Sequence, residues 1–312
     1  MSPSSLARAA FVFPGQGSQI VGMGKDLYEK SPAARLVFEE IDDTLGRKLS
    51  GMIFDGPCDE LTRTENAQPA ITAVSLAAWK AMGEAVGAPQ VPGFVAGHSL
   101  GEYSALAVAG VLSIADSARL VVERGRVMQH ACDERPGGMA ALIGIDEAAA
   151  EDVCRQTGAY ISNINSGEQI IISGDHMSLA RAMDLAAARG ARKAIPLSVG
   201  GAFHSGLMEP AQHGLNGVME SIRFNDPIAK IVGNVDAMPL TTAAEVKEEL
   251  RLQLMSCVQW KRSVDTMVRG GVQRFVEVGP GRVLSGLIKR IERNAEVACV
   301  SDYGAVLEYA AA

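Results

Sequence analysis

Cysteine is scarce and badly spaced for structural work: five residues, at 58, 132, 154, 257 and 299, with no C-x-x-C pair. An odd count at these intervals suits neither a zinc site nor a disulfide framework, and it predicts a metal-free chain kept in a reducing cytoplasm. Long apolar runs are missing as well. A membrane helix needs about 18 consecutive apolar residues, and the longest candidate, Ala105 to Ala115, is short and built of small side chains. Arg8 before Ala-Ala-Phe-Val-Phe faintly imitates a leader, but Pro14 ends that run after about five residues, so no targeting segment is expected. Positive charge is outnumbered, with Lys+Arg 29 against Asp+Glu 36 and a net charge of −7. An overall basic nucleic-acid footprint is thereby excluded, though a local basic patch is not. Aromatic residues make up only 5%, and neither an internal repeat nor a low-complexity tract is present.

What remains is an ordinary globular composition, 47% hydrophobic and 21% charged, in a chain of 312 residues. That length allows one large domain or two small ones, each with a real core. Glycine is plentiful, 33 residues, which suits close helix–strand packing and many turns.

Along the chain the pattern alternates. Ala9 to Phe13 reads as a buried strand stopped by Pro14-Gly15-Gln16-Gly17-Ser18-Gln19. Tyr28 to Leu45 and Ala70 to Val86 have helical character. Phe94-Val95-Ala96 is a short strand entering Gly97-His98-Ser99-Leu100-Gly101, followed by a helix of small residues, Glu102 to Ala109. Ser113 is the expected cap of a further helix reaching about Ala131. Between Cys132 and Gly200 the order is strand (Met139–Ile145), helix (Asp146–Arg155), strand (Ala159–Asn163), strand (Gln169–Ser173), helix (His176–Arg189) and strand (Arg192–Leu197). This β-α-β-β-α-β order is the split βαβ of ferredoxin-like folds. Strand and helix then alternate again through Ile231–Asn234, Ala243–Leu254, Arg274–Val278 and Val283–Arg293. The expected fold class is α/β, with an outer α/β domain from residues 1–131 and 201–312 and an inserted ferredoxin-like domain at 132–200.

The chemistry concentrates at a few positions. Gly97-His98-Ser99-Leu100-Gly101 fits G-x-S-x-G between a strand and a helix, the context of a nucleophile elbow. Glycines two residues either side let the backbone turn sharply, and the helix start puts N–H groups where an oxyanion would form. The plainer alternative is a Gly-rich turn with Ser99 as a helix cap. A serine needs a base. Of the five histidines, His98 adjoins Ser99 but neighbours on a turn point different ways, and His130, His176 and His213 lie on polar helical segments. His204, in the Gly-rich loop after the last strand of the insert, is the candidate, with a solvated loop histidine as its alternative. Residues 14–19 lack the Lys-Ser/Thr ending of a phosphate loop and the third glycine of a dinucleotide fingerprint. They leave a loop whose bare backbone can approach a ligand. Arg124 stands out among the charges. At ~100° per residue, Arg119, Glu123, Arg126 and His130 share one polar face, whereas Arg124 falls among Leu120, Val121, Gly125, Val127 and Met128. A guanidinium there must snorkel or find a carboxylate, either in the protein or in a ligand.

Taken together in order, FVFPGQGSQ at 11–19, TENAQPA at 64–70, GHSLGEYSAL at 97–106, ERGRVMQ at 123–129, GGMAALIG at 137–144, GAFHSGLM at 201–208, VQW at 258–260 and EVGPGRVLSGL at 277–287 resemble one family. It is the malonyl-CoA:acyl-carrier-protein transacylases of fatty-acid synthesis, with the related acyltransferase domains of polyketide synthases. The resemblance implies an α/β-hydrolase-like large domain with a ferredoxin-like insert. It implies Ser99 as the acylated nucleophile, His204 as its base, Gln253 as the residue whose backbone carbonyl orients the histidine, Gln16 and Leu100 as oxyanion-hole donors, and Arg124 as the clamp on the malonyl carboxylate. The implied reaction is ping-pong transfer of malonyl from CoA to the phosphopantetheine thiol of an acyl carrier protein, with malonyl-CoA and CoA as substrate and product and no cofactor. Two departures are visible. Ser256-Cys257 replaces the Asn-Pro that often precedes Val-Gln-Trp, and Gly167-Glu168 replaces Pro-Gly in the insert. An acidic carrier calls for a local basic patch, for which Arg189, Arg192, Lys193, Lys289 and Arg290 are candidates. The rival readings are a trans-acting polyketide acyltransferase, a serine esterase or thioesterase, and a non-catalytic docking subunit.

Overall fold

The computed structural model describes residues 6–312. Ten strands form two sheets: β1 (Ala9–Phe13), β2 (Phe94–Gly97), β3 (Gly138–Ile143), β4 (Tyr160–Ser166), β5 (Gln169–Gly174), β6 (Lys193–Pro196), β7 (Lys230–Val232), β8 (Pro239–Leu240), β9 (Arg274–Val278) and β10 (Glu296–Val300). The larger sheet has the order β10-β9-β1-β2-β7-β8. Its pairs are parallel except β7 with β8, which is antiparallel.

The apolar run of β1 explains its place at the centre. All five residues are fully buried, because helices cover both faces of the sheet. Phe11 and Phe13 point into one core with Val95, Val276 and Ile231. Ala10 and Val12 point into the other, with Ala96, Val232 and Phe275. Strand period two therefore divides one continuous hydrophobic segment between two layers.

The smaller sheet is antiparallel throughout, in the order β4-β5-β3-β6. One face carries the helices Glu147–Thr157 and His176–Ala188 over a core of Ala140, Leu142, Ile170 and Ile172. Alternate residues of the same strands, Met139, Ala141 and Ile171, join the main core instead. This sheet is also pinned to the large body by Val258, whose N–H donates to Ser162 O at 2.8 Å and whose carbonyl accepts from Ile164 N at 2.9 Å.

Element boundaries depart from the sequence expectations where proline or a tertiary contact intervenes. The helical stretch expected over Tyr28–Leu45 is two helices, Lys25–Lys30 and Pro32–Leu45, broken where Ser31 caps the second through Ala34 N at 3.1 Å. The helix expected from Ala70 begins at Thr64 and contains Pro69 near its start. Ser113 caps a helix as expected, with its hydroxyl accepting from Asp116 N, and the helix runs to Glu134. The helices Glu209–Met219, Trp260–Arg269 and Tyr303–Ala311, and strand β10, add elements not anticipated. Among the described residues no helix is long and apolar enough to cross a membrane.

Candidate active site

β1 and β2 are adjacent and parallel, so the loops at their carboxyl ends lie side by side. Residues 14–19 follow β1 and Gly97–Gly101 follow β2, the usual position for a ligand crevice in an α/β sheet. Steric limits fix two glycines in the second loop. A Cβ on Gly97 would lie 1.9 Å from the Gly101 carbonyl carbon, and one on Gly101 would lie 2.0 Å from Phe13 O. Strand, turn and helix thus meet backbone to backbone, and Ser99 is forced to φ +52°. A non-glycine residue in that region carries strain of about 1–3 kcal/mol, a cost that surrounding structure has to hold in place.

Ser99 Oγ donates to His204 Nε2 at 2.7 Å. His204, only 4% exposed, also has a positive φ of 56°. Its Nδ1–H faces two carbonyls, Gln253 O at 2.9 Å and Ser256 O at 3.1 Å. These acceptors fix the tautomer that leaves Nε2 free to accept the serine proton. Burial first, and then the nearby Arg124 charge, push the His204 pKa down to about 3. The imidazole is therefore neutral and able to take a proton at neutral pH.

The Ser256-Cys257 departure does not loosen this support. Ser256 supplies one of the two carbonyls, and the backbone beyond is held by the Val258 bonds to β4 and by Gln259 N donating to Asn234 O at 2.8 Å. Hydrogen bonds do there what a proline ring would otherwise do by restricting φ.

Arg124 lies on the buried face of its helix, 1% exposed, as its place in the apolar arc requires. Nη1 donates to Gln68 Oε1 at 2.8 Å, and Nη2 to Gln253 Oε1 at 3.2 Å and to Ser99 Oγ at 3.1 Å. The guanidinium stacks on Tyr103, with Cζ 5.3 Å from the ring centroid. Its Nε has no partner, and no carboxylate among the described residues forms an ion pair with it. A buried cation satisfied only by neutral oxygens favours an incoming anion.

The elbow N–H groups are nearly all spent. Ser99 N donates to Asn234 Oδ1 at 2.7 Å and Gly101 N to His98 O at 3.0 Å, which leaves the Leu100 N–H for a ligand. In the facing loop Gly17 N donates to the Gln19 side chain at 2.8 Å, and the Gln16 carboxamide reaches Thr64 at 3.2 Å. No acceptor for the Gln16 backbone N–H is present among the described residues.

Ser99, His204, Arg124 and Gln16 share one cleft of about 320 Å³, roofed by Met139, Asn163 and Ile171 of the smaller sheet. His98 also lines it. Its Nε2 donates to Asn165 Oδ1 at 2.8 Å, and burial lowers its pKa. His130, His176 and His213 are exposed, as their polar neighbours imply. Among the described residues no group of three or more His, Cys, Asp or Glu could hold a metal ion.

Several participants carry little sequence signal. Gln68 and Asn234 are single polar residues whose roles depend on distant contacts. Glu102 was legible in principle, as a carboxyl in a helix of small apolar residues. It is fully buried and accepts from the Gln253 carboxamide. Burial and the neighbouring Glu249 raise its pKa well above the usual carboxyl range, and burial raises that of Glu249 to about 7.

Residues 10–302 match the family described as acyl transferase domain. A Bacillus subtilis (strain 168) protein named malonyl CoA-acyl carrier protein transacylase is 43% identical over 302 residues, covering 95% of this chain and 94% of that one. The crystal structure of an acyl-carrier-protein-S-malonyltransferase from Bartonella henselae superposes with TM-score 0.91 at 41% identity, over 97% of this chain and 99% of that one. A malonyl-transacylase solved with its type II polyketide synthase acyl-carrier protein gives TM-score 0.93 at 38% identity, again over 97% and 99%. With the two-sheet α/β architecture and the Ser99, His204 and Arg124 constellation of one cleft, these likenesses identify the chain as a member of the acyl transferase family, alongside the malonyl CoA-acyl carrier protein transacylases.

Proposed function

We propose that the protein transfers a malonyl group from CoA to the phosphopantetheine thiol of an acyl carrier protein. Ser99 Oγ attacks the thioester carbonyl while His204 Nε2 takes its proton. The resulting oxyanion lies between the Gln16 and Leu100 N–H groups, each donor worth about 3–4 kcal/mol in related chemistry. The His204 imidazolium then protonates the departing CoA sulfur. In the second half-reaction His204 deprotonates the carrier's thiol, which attacks the Ser99 ester and releases Ser99 Oγ with its proton restored. The carbonyls of Gln253 and Ser256 orient the ring but carry no charge, so they stabilise imidazolium less than a carboxylate would.

The observation that carries this reading is the buried Arg124 guanidinium, unpaired by any carboxylate among the described residues and 3.1 Å from Ser99 Oγ. A malonyl carboxylate supplies the missing charge, and a bidentate pair positions the acyl group. Only the protein's own side-chain and backbone groups, the CoA thioester and the carrier thiol take part in these steps, so the proposed route calls for no cofactor.

The β-α-β-β-α-β order of the smaller sheet supports a ferredoxin-like unit within residues 132–200. The mostly parallel sheet with its serine elbow supports an α/β-hydrolase-like body from residues 1–131 and 201–312. CoA chemistry and five unpaired cysteines fit a cytoplasmic enzyme. The malonyl-transacylase solved with a type II polyketide carrier favours, as a second reading, the same reaction serving a polyketide carrier. The test follows malonyl-CoA with and without holo-carrier. Malonyl-carrier as the product supports the transferase, and free malonate alone makes the protein a hydrolase.

A further inference from the structure

We infer that Asn234 is a positioning residue for the reaction, because its side chain clamps the strained turn that presents Ser99. This deepens the functional reading above and rests on it. Asn234 follows β7, the strand beside β2, and is 2% exposed. Its carboxamide bridges the two sides of the elbow: Oδ1 accepts from Ser99 N at 2.7 Å, and Nδ2 donates to Gly97 O at 2.7 Å. One planar group thus ties the residue before the turn to the residue at its apex.

Asn234 is itself held at both its backbone groups. Its backbone N–H donates to Glu249 Oε1 at 2.6 Å, which also accepts from Val235 N at 2.8 Å. Its carbonyl accepts from Gln259 N at 2.8 Å, within the segment that supports His204. A shift of Asn234 would therefore move the Ser99 backbone and the His204 support together.

Two consequences follow for the chemistry. At φ +52° Ser99 relaxes unless its neighbours over-determine it, and the two Asn234 contacts hold the successive peptide units on either side of His98 that lead into it. Asn234 also takes up the Ser99 N–H, which leaves the Leu100 N–H as the donor of the turn. Without the carboxamide, the Ser99 N–H and the Gly97 carbonyl lose buried partners, and the turn can rotate to find others. Asn234 touches no reacting atom, so its loss should alter the rate of Ser99 acylation and leave substrate affinity nearly unchanged.

The test compares wild type, N234A and N234D by single-turnover acylation with malonyl-CoA, read by intact mass, together with steady-state kcat and KM and a thermal melt. Wild type is measured first. Failure of Ser99 to acquire malonyl there overturns the functional reading and this inference with it. For folded N234A the expectation is acylation slower by about ten- to a hundredfold, with KM for malonyl-CoA within about twofold. If N234A does not fold, N234D is read in the same way, since it keeps the shape and the acceptor for Ser99 N and puts an acidic oxygen where the donor to Gly97 O stood. Wild-type acylation rates in a folded variant, or a raised KM at unchanged kcat, would overturn the positioning role.

Discussion

Arg124 donates to the Ser99 hydroxyl oxygen at 3.1 Å, so the proposed carboxylate clamp and the proposed nucleophile are in direct contact before substrate arrives. One guanidinium then serves two ends. It waits on the serine, and it offers the anion site of a group only a few bonds from the carbonyl that the serine attacks. Gln68 and Gln253 hold it without neutralising it.

Arg124→Ala separates these roles. Losing the partner of a buried carboxylate costs about 3–5 kcal/mol, or about 10²–10⁴ in rate at 1.36 kcal/mol per decade. Malonyl transfer should fall by that factor and acetyl transfer far less, because acetyl-CoA has no carboxylate to pair. Lys should rescue only in part, lacking the planar fork. Parallel assays with both thioesters decide it, and an equal fall in a folded protein makes Arg124 structural.

The same contact sets the pH dependence. Burial and the Arg124 charge both lower the His204 pKa, from 6.5 to about 3. A lowered pKa keeps the base neutral as the pH falls below 6.5, so the acid limb of kcat/KM, which reports the free enzyme, should lie well below 6.5. A bound malonyl carboxylate neutralises Arg124 and removes the larger of the charge causes that lower it. The acid limb of kcat should therefore sit at higher pH than that of kcat/KM. Pre-steady-state pH profiles check this, and coincident limbs near 6.5 would count against the account.

Gly101→Ala tests the elbow as a packing unit. The new Cβ would meet Phe13 O at 2.0 Å, a backbone atom of the central strand that cannot step aside. Overpacking of this kind costs about 1–3 kcal/mol or more, which lowers the melting temperature by about 2–5 degrees or more in a protein of this size. A melt matching wild type would show that the turn has slack.

The basic patch narrows in the structure. Arg189 pairs with Asp152, Arg192 pairs with Glu168, and Lys289 donates to Ala295 O. Lys193, exposed at the edge of the smaller sheet, and Arg290, exposed on the helix Val283–Ile291, enter no ion pair among the described residues. Lys193→Glu should weaken transfer to an acidic carrier, most at low salt, and spare acylation by malonyl-CoA. Equal effects on both half-reactions would discard a docking role.

How much of this was legible in the sequence follows the range of each interaction. Ser99 could be read because its elbow is local, a strand, two glycines and a helix within nine residues. Arg124 could be read because helical periodicity is local too, and it betrays a charge on the wrong face. His204 required the further step that a serine needs a base. Asn234, Glu249 and Gln68 act only through partners 14 to 137 positions away, and a single sequence carries no trace of such pairings. The early start of the Thr64–Val86 helix was hidden by Pro69, whose usual meaning is a boundary. Strand β10 alternates in no clean pattern, since it lies at the sheet edge with most of its residues only half buried.

Covalent acylation of Ser99 is the centre of the account, and intact-protein mass after mixing with malonyl-CoA tests it most directly. Wild type should gain the mass of one malonyl group and lose it again when holo-carrier is added. Ser99→Ala should gain nothing. A full-strength adduct on Ser99→Ala, or a wild-type protein that turns over substrate without ever carrying the acyl group, would contradict the mechanism.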